Sequence, residues 1–117
     1  MAHIQRIFYR ETIVAPVYFI GASSVISAVG KAELARIAAE ARREGGVVNV
    51  TGYSRQSSTT PASFIRRISE QRALAVANYL ATLGVQQWIR FQGVGAPTTN
   101  EGAETDRRVV VSLTPFD

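Results

Sequence analysis

The residue with the most demanding chemistry in this sequence is Arg72, because it interrupts an apolar helical stripe. Apolar residues recur every three or four positions from Phe64 to Leu83, the spacing of a helix that faces a core. Position 72 falls in phase with that stripe. A guanidinium remains charged and is costly to bury without hydrogen-bond acceptors. The spacing therefore predicts that Arg72 reaches an acidic side chain, a backbone carbonyl or a ligand.

Patterns typical of catalysis and of metal binding are absent from the sequence. His3 is the one histidine and lies in a polar, basic lead-in, so it is a poor candidate for a serine–histidine–aspartate triad. The chain has no cysteine, and no Asp, Glu and His cluster has metal-site spacing. Gly93 and Gly95 lead into Pro97 rather than into a helix, unlike a dinucleotide-binding loop. We therefore predict a protein that is not an enzyme and uses no cofactor or metal.

The composition indicates a globular domain with a mixed surface charge. The chain has 117 residues, of which 46% are hydrophobic and 19% charged, and this suits one domain with a buried core. The net charge of +4 would attract nucleic acid or anionic lipid. However, arginines alternate with glutamates, and no run of five like charges occurs. We expect a solvated surface and no nucleic-acid partner, and a cytosolic nucleic-acid binder is a remote alternative.

The sequence contains no stretch typical of a membrane span or of a leader peptide. The strongest apolar run, residues 13–22, has about half the length needed to cross a bilayer and contains Pro16. The first six residues lack the apolar region and cleavage site of a signal peptide. Two alternatives follow. The chain is a cytosolic protein, or it is a soluble fragment whose leader or membrane anchor lies outside this sequence.

Four strands and two helices are predicted in the order β-α-β-α-β-β. The strand predictions rest on β-branched and aromatic runs, and the helix predictions rest on three-to-four-residue apolar spacing. This order predicts an α+β sandwich with two helices packed on one face of a mixed sheet. The strands are placed at 13–20 (interrupted by Pro16), 47–53, 88–92 and 107–113, and the helices at 26–44 and 61–83. The predicted regions are a lead-in at 1–12, one domain at 13–114 and a tail at 115–117.

Finer predictions concern the long helix and the strands beside it. Thr60 is a plausible N-cap, Pro61 suits the first helical position, and Gly84 suits a left-handed stop. The strand before this helix is almost continuously apolar, so we expect it to be central in the sheet. In the strand after the helix, Ile89 and Phe91 alternate onto one face.

Four segments carry a resemblance to a known family. They are Val-Tyr-Phe at 17–19 with Gly-Lys-Ala-Glu-Leu at 30–34, Asn-Val-Thr-Gly-Tyr-Ser at 49–54, Ile-Ser-Glu-Gln-Arg-Ala at 68–73, and Asp-Arg-Arg-Val at 106–109. In register, they resemble the OmpA-like peptidoglycan-binding domain, which tethers bacterial envelope proteins to the cell wall. That family has a strand ending in Gly-His-Thr-Asp, a Leu-Ser-x-x-Arg-Ala helix and an Asn-Arg-Arg-Val ending. The resemblance covers roughly residues 13–113 and implies the same element order.

The resemblance implies a peptidoglycan-binding site around Arg72. In that family the helix arginine takes the carboxylate of meso-diaminopimelate, and an aspartate takes its ammonium group. A charge-assisted bidentate contact of this kind suits a guanidinium. If binding is retained, the matching residues are Ser54, Arg55, Arg72, Arg107 and Arg108. Neighbouring residues of a strand point to opposite faces, so one arginine of the 107–108 pair is expected to point inward.

The sequence departs from the family pattern where the ligand ammonium would bind. Arg55 stands at the aspartate position, Ile65 at a helix asparagine, and Asp106 at the asparagine of the ending. Ile20 and Ala22 replace acidic residues that are usual after the first strand. Two like charges at roughly 4 Å in a partly screened site cost on the order of several kcal/mol. We therefore predict that the fold is kept and that the diaminopimelate pocket is degenerate.

Three functions are open at this point. The first is a non-catalytic periplasmic domain that acts as a structural or interaction module of an envelope protein, for example in a secretion, pilus or conjugation machine. In that case Arg72 would form a buried ion pair with Asp106 or a nearby glutamate. The second is a peptidoglycan anchor in which Arg55 contacts another group, such as a stem carboxylate. The third is the nucleic-acid binder. The expected partners are envelope proteins or peptidoglycan, with membrane contact only through a missing leader or anchor.

Overall fold

Two helices pack on one face of a mixed sheet in the computed structural model of the chain, which describes residues 12–13, 17–19, 23–55, 59–96 and 107–114. The elements are β1 (Thr12–Ile13), β2 (Val17–Tyr18), α1 (Ala28–Glu44), β3 (Val47–Gly52), α2 (Ala62–Thr82), β4 (Ile89–Gly93) and β5 (Arg108–Thr114). The predicted α+β class is confirmed, with the first strand present as β1 and β2. The predictions for His3, Ile20, Ala22, Pro97 and Asp106 lie outside the described residues.

The centre of the sheet is formed by β3 and β5. The strand order is β1-β5-β3-β4, and β2 also pairs with β5. β3 is parallel to β4 and antiparallel to β5, while β1 and β2 are both antiparallel to β5. The central position predicted for the strand before the long helix is therefore confirmed. Parallel strands need a crossover connection, and α2 provides it between β3 and β4.

The core lies between the two helices and one face of the sheet. Alternate residues of β3 and β5 are buried, as expected where helices cover a single sheet face. Burying each large aliphatic side chain contributes about 1.5–3 kcal/mol. The main core residues are Val17, Val48, Val50, Val109, Val111 and Leu113 on the sheet, and Leu34, Ile37, Ala41, Ala73, Val76 and Leu80 on the helices. This packing fixes the face of α2 on which Arg72 lies.

The long helix begins one residue later than predicted. Pro61 is the N-cap of α2, and no side chain caps the helix, so the prediction of Thr60 as N-cap is wrong. The carbonyl of Pro61 accepts hydrogen bonds from the backbone N–H groups of Phe64 at 3.0 Å and Ile65 at 3.2 Å. Pro61 has no N–H to lose, so it is tolerated at either position. Gly84, with φ 88°, confirms the predicted left-handed stop.

β4 lies at one edge of the sheet and, among the described strands, pairs only with β3. Its parallel register places Ile89 beside Val48 and Phe91 beside Val50. Since Val48 and Val50 face the helices, Ile89 and Phe91 share that face, as predicted. Ile89 packs against the core, whereas the Phe91 side chain is 43% exposed.

Candidate functional site

Arg72 is fully buried and is held by backbone carbonyls. It is 0% exposed, in agreement with its place in the apolar stripe of α2. Its Nε donates to the carbonyl oxygen of Ser23 at 2.9 Å, and its Nη1 donates to that of Tyr53 at 3.2 Å. The guanidinium carbon lies 5.2 Å from the centre of the Phe19 ring, within cation–π range. Arg72 therefore ties α2 to the segments that follow β2 and β3.

The same end of the sheet gathers the other residues implied by the resemblance. Ser54 and Arg55 follow β3, Arg107 precedes β5 and Arg108 begins it, so the antiparallel pairing of these strands brings the two pairs to one end of the sheet. The backbone hydrogen bonds there run from Tyr53 N to Arg108 O at 2.8 Å, from Ser54 N to Gly95 O at 2.9 Å, and from Phe19 N to Arg107 O at 2.7 Å. Ser54 is buried, whereas Arg55 is exposed.

Arg107 and Arg108 have different surroundings. The helix-facing residue that follows them is the buried Val109, so Arg108 lies on the uncovered face of the sheet and Arg107 on the inner side. The guanidinium carbon of Arg108 lies 4.6 Å from the centre of the Tyr53 ring. Arg107 is close enough to Arg72 for the two charges to repel each other. One arginine of the pair thus adds positive charge to the buried site.

Burial makes the charge of Arg72 unfavourable, and Arg107 adds to the effect. Desolvation is the larger cause and the charge of Arg107 the smaller, and together they lower the pKa of Arg72 to about 10. Arg72 is still protonated at neutral pH. The carbonyl acceptors and the Phe19 ring offset part of this cost. The site therefore contains a charged guanidinium whose burial is energetically unfavourable.

A second contact between α2 and the sheet was not predicted from the sequence. Ser69 is 0% exposed, and its hydroxyl donates to the carbonyl of Arg66 at 2.6 Å and accepts from the N–H of Gly95 at 2.9 Å. A Cβ at Gly52 would collide with the carbonyl oxygen of Ser69, and one at Gly93 with the backbone of Glu70. In the sequence, the only signal for this contact is that Gly52, Ser69 and Gly93 are small residues. The structure shows that they meet.

The described ranges contain no group of three or more His, Asp and Glu side chains that would hold a metal ion. Of the helices in the same ranges, neither has the length and apolar character needed to cross a membrane.

A model of the OmpA family matches residues 18–110, which is more than half of the chain. The chain belongs to the OmpA family. One similar solved structure is the OmpA-like domain of FopA1 from Francisella tularensis subsp. tularensis SCHU S4, with 27% identity and a TM-score of 0.76. The match covers 87% of this chain and 72% of that one.

Two further structures share the fold of this OmpA-family chain at lower identity. The peptidoglycan-associated lipoprotein of Burkholderia pseudomallei is 19% identical with a TM-score of 0.69, and the match covers 84% of this chain and 87% of that one. The periplasmic domain of Helicobacter pylori MotB is also 19% identical with a TM-score of 0.69, covering 86% and 70% of the two chains. No curated protein matches the chain.

Proposed function

We propose that this chain is a non-catalytic domain of a bacterial envelope protein, in which Arg72 binds the fold together instead of binding diaminopimelate. One observation carries the proposal: Arg72 is 0% exposed, and its Nε and Nη1 donate to the carbonyls of Ser23 and Tyr53. A guanidinium that grips a ligand carboxylate must present a fork of parallel N–H groups to it. Here two donor nitrogens already have protein acceptors, and the side chain has no solvent-facing surface.

The charges around the site support the same proposal. Arg55 occupies the position at which the family has its ammonium-binding aspartate, and it is exposed at the same end of the sheet. Arg107 adds a second positive charge beside Arg72. A zwitterionic diaminopimelate end would bring its ammonium group toward these cations, where like charges repel. The pocket is therefore degenerate, and the domain serves to hold proteins together.

The location and the partners are proposed from the relatives. The Helicobacter structure is a periplasmic domain, and the Burkholderia protein is a peptidoglycan-associated lipoprotein. We accordingly place this chain in the periplasm, as part of an envelope protein whose partners are other envelope proteins. Membership of a secretion, pilus or conjugation machine is the finer form of this proposal. The domain uses no catalytic residue, cofactor or metal.

The proposal is tested by co-sedimentation with purified diaminopimelate-type cell walls at several salt concentrations. The variants are Arg55→Ala and, as a matched control that removes the same charge from α1, Arg43→Ala. We expect any retention of the wild type to be weak, to be lost with moderate salt, and to fall equally in both variants, as non-specific attraction requires. Salt-resistant retention that Arg55→Ala abolishes and Arg43→Ala keeps would contradict the proposal. It would favour the anchor in which Arg55 contacts a stem carboxylate.

A further inference from the structure

The outer side of β4 presents backbone groups that no described strand pairs with. The N–H of Val48 donates to the carbonyl of Trp88 at 2.9 Å, so the backbone groups of even-numbered residues face β3. In a parallel ladder the backbone groups of alternate residues point to opposite sides of the strand. The N–H and C=O groups of Ile89, Phe91 and Gly93 therefore point outward. Such an edge is a template for one more strand.

The side chains beside this edge are apolar and cationic. Trp88 is 77% exposed and Phe91 43% exposed, which is unusual for aromatic side chains. Arg90 is exposed on the face of the sheet that the helices leave uncovered. A shallow groove beside β4 is lined by Val47 of β3 and by Trp88, Ile89, Arg90 and Phe91. The edge thus combines backbone groups that no described strand pairs with, apolar contact area and the positive charge of Arg90.

We infer that the β4 edge binds an extended acidic segment of a partner protein by strand addition. The backbone groups of Ile89, Phe91 and Gly93 set the register, as in other cases of strand addition. A partner residue opposite Arg90 lies on the same sheet face, so an acidic side chain there meets the guanidinium. Partner residues opposite Ile89 and Phe91 lie on the helix-covered face of the sheet and are apolar. The partner segment therefore alternates apolar and acidic residues.

Charge argues against a second copy of this chain as the occupant. The chain carries a net charge of +4. Joining two β4 edges would place the Arg90 side chains of both copies on one face of the extended sheet, where like charges are destabilising. A charged residue on an edge strand is a common means of preventing such self-pairing. The same charge attracts an acidic strand.

This inference rests on the proposed protein-binding role and names the surface that carries it. It uses none of the residues around Arg72, so the cell-wall experiment and the experiment below can fail independently. Retention on walls through Arg55 would remove the proposed function while leaving the β4 edge untouched. If no peptide binds at the β4 edge, this inference fails, and the proposal of a degenerate pocket is unaffected.

The test uses three short capped peptides and the complete chain. One peptide alternates Val and Glu, the second alternates Val and Lys, and the third is the Glu peptide with alternate backbone nitrogens methylated. Trp88 is the single tryptophan, so its fluorescence reports the edge directly. We expect the Glu peptide to change the emission saturably and to slow amide exchange at Ile89, Phe91 and Gly93. The Lys peptide and the methylated peptide do neither.

Charge reversal at the edge provides the specificity control. Arg90→Glu should weaken the Glu peptide about tenfold and allow the Lys peptide to bind, because the facing charge is inverted. Arg43→Glu makes the same charge change on α1, where the side chain is 72% exposed, and should leave the Glu peptide bound as tightly as before and the Lys peptide unbound. Equal binding of the two peptides, or unaltered exchange at the three amides, overturns the inference. If exchange at these three amides slows as the protein concentration rises in the absence of peptide, the β4 edges pair with each other. That result also overturns the inference.

Discussion

Replacing Arg72 measures how much of the fold depends on one buried cation. The variants are Arg72→Met, which keeps much of the apolar stem, and Arg72→Ala, which also opens a cavity. Both remove the donors that satisfy the carbonyls of Ser23 and Tyr53. Hydrogen bonds from a charged group contribute about 1.5–3 kcal/mol each. Losing both therefore costs roughly 3–6 kcal/mol before any compensation.

The compensation comes from removing a charge that burial disfavours. The lowering of the pKa of Arg72 to about 10 corresponds to roughly 3 kcal/mol of unfavourable interaction with its surroundings. Arg72→Met relieves this, so we expect a net loss of between zero and about 3 kcal/mol in the free energy of unfolding. Arg72→Ala also loses packing against Phe19 and leaves a void, which raises the loss to about 3–5 kcal/mol.

Urea unfolding followed by circular dichroism measures these losses. Arg55→Ala is the control, because Arg55 is exposed and its replacement should change stability by less than about 0.5 kcal/mol. A stability of Arg72→Met above that of the wild type would refute the reasoning. So would a loss of less than about 1 kcal/mol in Arg72→Ala.

Two further predictions concern helix packing and pH. Gly93→Ala places a Cβ against the backbone of Glu70, so we expect α2 to move off β4 and the free energy of unfolding to fall by about 1–3 kcal/mol or more, measured by urea unfolding. Val94→Ala, at an exposed neighbour, is the control. The pKa of Arg72 is lowered to about 10 in the folded state, so from about pH 10 upward the unfolded chain binds more protons at this residue and its contribution to stability rises with pH. The stability difference between the wild type and Arg72→Met should therefore shift in favour of the wild type over that window, and a shift in the opposite direction would contradict the assigned pKa.

The element order could be predicted because local pattern determines it. Runs of β-branched residues and the three-to-four-residue apolar spacing are properties of neighbouring positions. The burial of Arg72 followed from the same spacing. The register of β4 against β3 was not available from the sequence, because pairing joins residues far apart in the chain. The edge position of β4 therefore became visible only in the structure.

The acceptors of Arg72 lay beyond reach of sequence reasoning for a physical reason. Two of them are the backbone carbonyls of Ser23 and Tyr53, which are 49 and 19 residues away in the chain. Every residue has a carbonyl, so no side-chain type marks these two. The prediction of an acidic partner weighed Asp106, which lies outside the described residues. Ser27 caps α1 by accepting from the N–H of Gly30 at 3.1 Å, and the apolar spacing alone did not indicate this cap.

The central claim is that the donors of Arg72 serve the protein's own backbone and no cell-wall ligand. The most direct measurement is the NMR signal of the Arg72 Nε–H group during titration with meso-diaminopimelate and with a stem peptide that contains it. The account predicts a signal that exchanges slowly with solvent, because the group is buried and bonded to the carbonyl of Ser23, and that does not move on titration. A saturable shift of that signal, absent with lysine as the added amino acid, would contradict the account.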